Sequence, residues 1–200
     1  MSGDYSRKRF NPEKHYQGVL RQQGRVDLDA DWNEYVDLQD RRWRAETIDV
    51  VGRCGVPAET PEGFKIGVTG GELTVGQGRM YVDGYVAENQ GTASALDATI
   101  EEQYGTAALL VKDQPFGGPV TVPAQVRSLV YLDVWRREVT YLQAPDLIEP
   151  AVNVDSTTRN QTAWQVRILG GIPAEVNCKT PLADIPGWPA GHRPSSARLT

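Results

Sequence analysis

The spacing of apolar residues changes once along this chain, close to Pro57, and that change limits what the chain can fold into. Before it, Trp32, Val36 and Trp43 belong to a stripe with steps of three and four residues, which is the period of a helix. After it, from Phe64 onward, apolar and polar residues alternate, which is the period of β-strands. Since the two patterns are segregated along the chain, the sequence predicts an α+β protein that is mainly β.

The helix is predicted to run from about Ala30 to Val51. Asp29 or Asp31 is expected to cap its first turn, and Glu34 stands where a capping box places its acidic residue. Gly52, followed by Gly55 and Pro57, is expected to end the helix.

The apolar stripe of this helix has two interpretations. In the first, Trp32 and Trp43 pack on a sheet of their own chain. In the second, the helix meets copies of itself in a bundle, and Gln39 within the stripe favours this alternative because a polar residue in such a seam can set register.

Short antiparallel hairpins are predicted between residues 64 and 86, with turns at the Thr69-Gly70-Gly71 and Asp83-Gly84 positions. The strongest strand patterns are residues 126–142 and 162–169, which are rich in β-branched and aromatic residues. In the first of them, alternation puts three apolar side chains on one face: Val130, Leu132 and Val134. The strand patterns do not decide whether these strands form one sandwich or two small sheets.

The sequence therefore divides into four segments. An irregular, extended N-terminal interaction arm covers residues 1–28, and the long helix with its exit covers residues 29–56. Antiparallel hairpins or a sandwich form a β domain at 57–178, and a Pro- and Gly-rich stretch at 179–200 is predicted to be an extended tail or linker.

Composition excludes several classes of protein. The formal net charge is -5 and the basic residues are scattered, so nucleic acid is not an expected partner. Cys54 and Cys178 lie far apart in sequence, which indicates free thiols and not a disulfide or a metal site. The start of the chain lacks the pattern of a signal peptide, and no apolar run is long enough for a membrane span. We expect a protein made in the cytoplasm.

No motif in the chain indicates a reaction. A catalytic triad needs a histidine base, and only His15 and His192 are present, both outside the predicted β domain. Carboxylates remain as the basis of an alternative glycoside-hydrolase hypothesis. The candidates are Asp83, Glu88, Asp133 and Glu138. Asp133 is expected instead to pair with Arg136 or Arg137 on an exposed sheet face. Since no motif for catalysis, cofactor binding or metal binding is found, we expect no catalytic site, no cofactor and no metal.

The arm combines aromatic and basic side chains ahead of the helix, a mixture typical of segments that bind a neighbouring subunit. Its Arg7-Lys8-Arg9 run is either a solvated terminal charge or a contact for an acidic protein surface. The predicted interaction residues are Tyr5, Arg7, Arg9, Phe10, His15, Tyr16, Arg25 and Trp32.

Four stretches carry a family resemblance: the opening MSGDYSRKRFNPEKHYQGVLRQQGRVDLDADWNE, then GRMYVDGYVAEN, LVYLDVWRREVTYL and RNQTAWQVRIL. They resemble an uncharacterised family encoded among genes of phage-tail-like contractile injection systems. The opening is also similar to the N-terminal region of phage baseplate and tail-fibre attachment proteins, where an FxPxK...GR...LN pattern begins the chain. Matching positions here are Phe10, Pro12, Lys14, Gly24, Arg25, Leu28 and Asn33-Glu34, with Asp31-Trp32 departing from the phage version.

The resemblance implies a structural part of the injection particle: a component of the baseplate periphery, a fibre adaptor or a cage around the spike. Its implied partners are other copies of itself, in a trimer, and baseplate or spike proteins. A carbohydrate- or receptor-binding module is the alternative, in which exposed rings stack on sugars. The rings available for it are Tyr81, Tyr85, Tyr131 and Trp135.

Overall fold

The computed structural model describes residues 3–91, 104, 108–118, 120–177 and 179–189, and it confirms a mainly β α+β fold with one long helix. Residues of the predicted tail beyond 189 lie outside this described part. In chain order the elements are α1 (Asp29–Val50), β1 (Cys54–Gly55), β2 (Ile66–Thr69), β3 (Glu72–Val75), β4 (Gly78–Val82), β5 (Tyr85–Asn89), β6 (Leu109–Leu110), β7 (Ser128–Val139), β8 (Ile148–Glu149), β9 (Val154–Asp155) and β10 (Arg159–Gly170).

The described strands form small sheets and not one continuous sandwich. One sheet has the order β1-β4-β5 and a second has the order β2-β3-β6, with antiparallel pairing in both. The two long strands β7 and β10 pair with each other, and β8 pairs with β9. The hairpin of β2 and β3 turns at Gly70-Gly71, as predicted, and both glycines have positive φ, at 60° and 84°.

The chain divides into two compact units. The first comprises Met1–Val50 and Arg136–Gln161, and the second comprises Val51–Trp135 and Thr162–Thr200. The arm and helix therefore share a unit with the 136–161 stretch, a grouping that the four segments predicted from sequence do not contain.

Helix α1 belongs to the first unit and begins at Asp29. The carbonyl of Leu28 accepts the N–H groups of Asp31 and Trp32, at 3.0 and 3.3 Å. Asp29 and Asp31 therefore lie inside the first turn and not at the cap position that we predicted. Their carboxylates are used by the arm instead, as described below.

The second unit holds the main core, in which Trp164 is the largest fully buried side chain. Its ring meets Phe64 edge to face with centroids 4.9 Å apart, and its indole N–H donates to the Glu88 carbonyl at 2.6 Å. The remaining buried residues of this core are Val75, Met80, Ala87, Val111 and Val166. Val130, Leu132 and Val134 of β7 pack against it, as the strand alternation predicted.

The opposite face of β7 carries a second, smaller contact region. Tyr131 lies against Trp188, with ring centroids 4.9 Å apart, and Ile185 is buried nearby in a cluster with Ile172 and Val176. The described first part of the predicted tail thus packs on the second unit. Asp133 pairs with Arg167 of β10 at 2.9 Å. This ion pair joins two neighbouring strands, whereas the sequence predicted a partner on β7 itself, Arg136 or Arg137.

No helix in the described part of the chain is both long enough and apolar enough to cross a bilayer.

Candidate interaction surface

The first residues of the arm are fastened to the far end of β7. The Gly3 N–H donates to the Glu138 carboxylate at 3.1 Å, and the Tyr5 hydroxyl donates to the same carboxylate. Tyr5 also shares a hydrogen bond with the Thr158 hydroxyl at 2.5 Å. Burial and the neighbouring Glu138 together raise the pKa of Tyr5, so the phenol stays protonated and remains a donor.

The next part of the arm is fixed to the first turn of α1. The Ser6 N–H and hydroxyl both donate to the Asp29 carboxylate, at 2.8 and 2.6 Å, and these two bonds lower the pKa of Asp29. Arg9 forms an ion pair with Asp31. Acidic side chains are favourable in the first turn because the helix dipole is positive there, so both carboxylates serve the helix and the arm.

The arm then runs beside the helix and turns back. The Gln39 side-chain amide donates to the Gln17 carbonyl at 3.5 Å, which places the arm next to the middle of α1. Beyond it the Arg25 N–H donates to the Gln22 carbonyl at 3.3 Å and closes a turn. The chain returns from this turn to the start of the helix, so residues 17–28 form a loop along the N-terminal half of α1.

Formal charge favours the position of the arm beside the helix. Residues 5–28 contain six basic and two acidic side chains, a balance of +4, whereas α1 contains three basic and seven acidic ones, a balance of -4. Opposite net charges attract along the length of the contact, although each exposed pair contributes little.

The outward side of this arrangement is apolar and open. Leu20 in the loop is 92% exposed, and Trp32, Trp43 and Val50 on the helix are 60, 70 and 85% exposed. The interpretation in which both tryptophans pack on a sheet of their own chain is therefore wrong. We call the exposed apolar residues of this stretch the arm–helix surface; they are Tyr16, Leu20, Val26, Leu28, Trp32, Tyr35, Trp43 and Val50.

The predicted interaction residues have different surroundings. Tyr16 and Trp32 belong to the arm–helix surface, whereas Tyr5 and Arg9 form contacts within the chain. Phe10 is half-buried, and the remaining three, Arg7, His15 and Arg25, are exposed. His15 follows a short 3-10 turn and has a positive φ of 55°.

Sequence reasoning did not select Leu20, Val26, Trp43 or Val50 as interaction residues. Trp43 and Val50 were visible as members of the helical stripe, but periodicity alone does not distinguish a stripe that faces the chain's own core from one that faces outward. For Leu20 and Val26 the sequence offers no signal, because their exposure depends on where the loop turns.

The carboxylates of the hydrolase hypothesis all have structural partners. Asp83 pairs with Arg53 at 3.0 Å, and Asp133 pairs with Arg167. Glu88 accepts a hydrogen bond from Tyr104 at 3.0 Å, and burial followed by the charge of Glu88 raises the pKa of this phenol to about 12. The fourth carboxylate, Glu138, is the anchor of the arm described above.

The rings of the carbohydrate hypothesis are half-buried in the second unit. Tyr131 lies against Trp188, and Trp135 lies edge to face with Phe116 at 6.5 Å between centroids. Tyr81 and Tyr85 sit on neighbouring strands of one hairpin.

Across the residues that the structure describes, no group of three or more His, Cys, Asp or Glu side chains is arranged to hold a metal ion. His192 and Cys178 lie outside those residues.

Comparison with known proteins gives one match. A family model described as a family of unknown function, DUF6519, matches residues 1–185. No curated protein and no solved structure matches the chain. Since the match covers nearly the whole sequence, the chain belongs to the DUF6519 family.

Proposed function

We propose that this protein is a non-enzymatic structural component that acts by binding other subunits through the arm–helix surface. The observation that carries this proposal is the exposure of Trp32 and Trp43 on one helix, next to a loop with further exposed apolar side chains. Tryptophan and tyrosine are enriched among the residues that dominate binding energy at protein interfaces.

The size of the surface supports the same function. From typical side-chain areas, its residues expose on the order of 1,000 Å². A standard interface takes about 800 Å² from each partner, so the exposed apolar side chains of the helix and the loop supply enough area for one. Leaving this surface in water costs free energy that burial against a partner recovers.

The particle is proposed from a resemblance: the opening stretch and the later strand motifs resemble an uncharacterised family encoded among genes of phage-tail-like contractile injection systems. In that setting the chain is part of the baseplate periphery, a fibre adaptor or a cage. In this proposal the chain is made in the cytoplasm and becomes part of the assembled particle. Its partners are other copies, in a trimer, and baseplate or spike proteins.

The test uses point substitutions in the full chain. Trp43→Ser and Trp32→Ser remove large exposed rings, and Val68→Ser is the matched control because Val68 is 70% exposed but lies on β2. Particles from cells producing each variant are purified and their subunits are measured by quantitative mass spectrometry. We expect at least tenfold less of either tryptophan variant in particles and normal amounts of the control.

Normal incorporation of both tryptophan variants would overturn the proposal. Point substitutions are preferable to deletion of the whole arm, because deletion also removes the contacts of Tyr5 and Ser6 within the first unit. Circular dichroism of the purified variants shows whether each one keeps its fold.

A further inference from the structure

Six positions of α1 follow the spacing of a coiled-coil seam. Their steps are four, three, four, three and four residues, so they occupy alternating a and d positions of a heptad repeat. These positions are Trp32, Val36, Gln39, Trp43, Glu46 and Val50. They extend over nearly the whole helix, which has 22 residues and a length of about 33 Å.

Three apolar residues of this seam are largely exposed: Trp32 by 60%, Trp43 by 70% and Val50 by 85%. Ala30 and Leu38, on the opposite side of the helix, are 1 and 7% exposed and are its buried residues. The arm contacts α1 at Asp31, on one flank of the seam, and at Gln39 within the seam. A second helix therefore has free access to Trp43 and Val50.

The area available fits a helix as the occupant. The exposed fractions of Trp32, Tyr35, Trp43 and Val50 amount to roughly 600 Å² from typical side-chain areas. That approaches the about 800 Å² that each partner contributes to a standard interface, and the half-exposed seam residues between them supply more.

A copy of α1 matches the seam best when it runs parallel and in register. Each layer then meets its own kind. Gln39 faces Gln39, and its amide, which donates one N–H to the Gln17 carbonyl, has a second N–H and an oxygen for the amide opposite. Glu46 faces Glu46, and each carboxylate is paired with Arg42 of its own chain. In a fully overlapping antiparallel pair Gln39 would face Trp43, and Glu46 would face Val36. Both polar groups would then be buried against apolar ones, which costs free energy.

Two ion pairs within each copy lie beside the seam. Arg136 pairs with Asp40 at 2.6 Å, and Arg42 pairs with Glu46 at 3.1 Å. The pair with Arg42 also compensates Glu46, the one charged residue of the seam. Association consequently needs no new ion pair and is driven by burial of the apolar rings.

From these observations we infer that α1 of one copy packs against α1 of a second copy, parallel and in register, along the seam from Trp32 to Val50. The inference rests on the proposed function and specifies its partner: the same helix of another copy of this chain.

Disulfide cross-linking of the full chain tests the orientation. In a background with Cys54→Ala and Cys178→Ser, single cysteines are placed by Val36→Cys and Val50→Cys, with Ala45→Cys as an exposed control away from the seam. Under mild oxidation we expect linked chains from position 36 alone and from position 50 alone, and little from position 45. Linkage only in a mixture of Val36→Cys and Glu46→Cys chains would indicate antiparallel helices and overturn the inference.

Light scattering separates this inference from the proposed function. We expect the unmodified chain to have a mass of at least twice 22.1 kDa, and Trp43→Ser to shift the mass toward that of a single chain. A monomeric parent chain would overturn helix pairing, while loss of Trp43→Ser from particles would still support assembly through other subunits. Linked chains at positions 36 and 50, combined with normal incorporation of both tryptophan variants into particles, would support helix pairing and overturn the proposed function.

Discussion

Single buried polar side chains stabilise the second unit by hydrogen-bonding to backbone groups of neighbouring segments. Asn89 donates to the carbonyls of Val75 and Gly76, at 3.3 and 3.0 Å. Gln114 donates to the Val166 carbonyl at 3.3 Å and accepts from the Val166 N–H at 2.8 Å. Such bonds offset the free-energy cost of removing polar groups from water.

Trp164 also donates a hydrogen bond to a backbone carbonyl, and its ring packs in the core. Two substitutions separate the contribution of the hydrogen bond from that of the packing. Trp164→Phe keeps much of the packing but leaves the Glu88 carbonyl without its indole donor, so we expect a loss of about 1–3 kcal/mol of unfolding free energy. Trp164→Ala adds a cavity and should cost about 3–5 kcal/mol. Urea denaturation followed by circular dichroism measures both. The control is Trp43→Phe, an exposed position where the change should be small; equal losses at the two sites would contradict this assignment.

The attachment of Ser6 to Asp29 should depend on pH. Hydrogen bonds from Ser6 lower the folded-state pKa of Asp29, so their stabilising effect is fully present above the ordinary aspartate pKa of about 4. It is lost as the pH falls through the lower folded-state value. In an NMR titration, the Ser6 amide resonance should move with a midpoint below that ordinary value.

Asp29→Asn is the control for this titration. The amide can still accept from Ser6 but does not titrate, so the acid-dependent movement of the Ser6 resonance should disappear. A midpoint at the ordinary aspartate value in the unmodified protein would show that the Ser6 bonds do not form in solution.

Turns determine several elements of the second unit, and one glycine has no room for a side chain. An added Cβ at Gly76, directly after β3, would lie 2.0 Å from the Glu62 carbonyl oxygen. The Gly76 N–H also donates to the Lys65 carbonyl at 2.8 Å, and this hydrogen bond keeps residue 76 close to the segment that contains Glu62. The close approach between the two segments is possible only because residue 76 lacks a side chain.

Gly76→Ala should therefore displace backbone and cost about 1–3 kcal/mol of unfolding free energy, as overpacking usually does. Gly18→Ala is the matched control, since nothing lies within 4 Å of its added Cβ. Thermal and urea unfolding of the two variants give the comparison. Equal stability of the two would mean that the segment around Gly76 adjusts without cost.

Much of the element pattern was predictable because it depends on local periodicity. The helix was expected over about Ala30 to Val51 and is found at Asp29–Val50, and the hairpin at Gly70-Gly71 follows from glycine's tolerance of positive φ. The partners of individual side chains were harder to predict from the sequence. Asp29 and Asp31 look like caps in sequence, yet both bind an arm about twenty residues earlier in the chain.

For the whole molecule, the sequence by itself determined the fold class, the long helix, the main hairpins and the aromatic-basic character of the arm. These follow from residue period, turn chemistry and composition, which are local properties. Only the tertiary structure decided which side of α1 is buried, where the arm attaches, and that Trp32 and Trp43 face outward. The physical reason is that these features depend on contacts between residues distant in sequence. Glu138 binds the start of the arm, and Arg136 pairs with Asp40 of α1, and no local pattern encodes either contact.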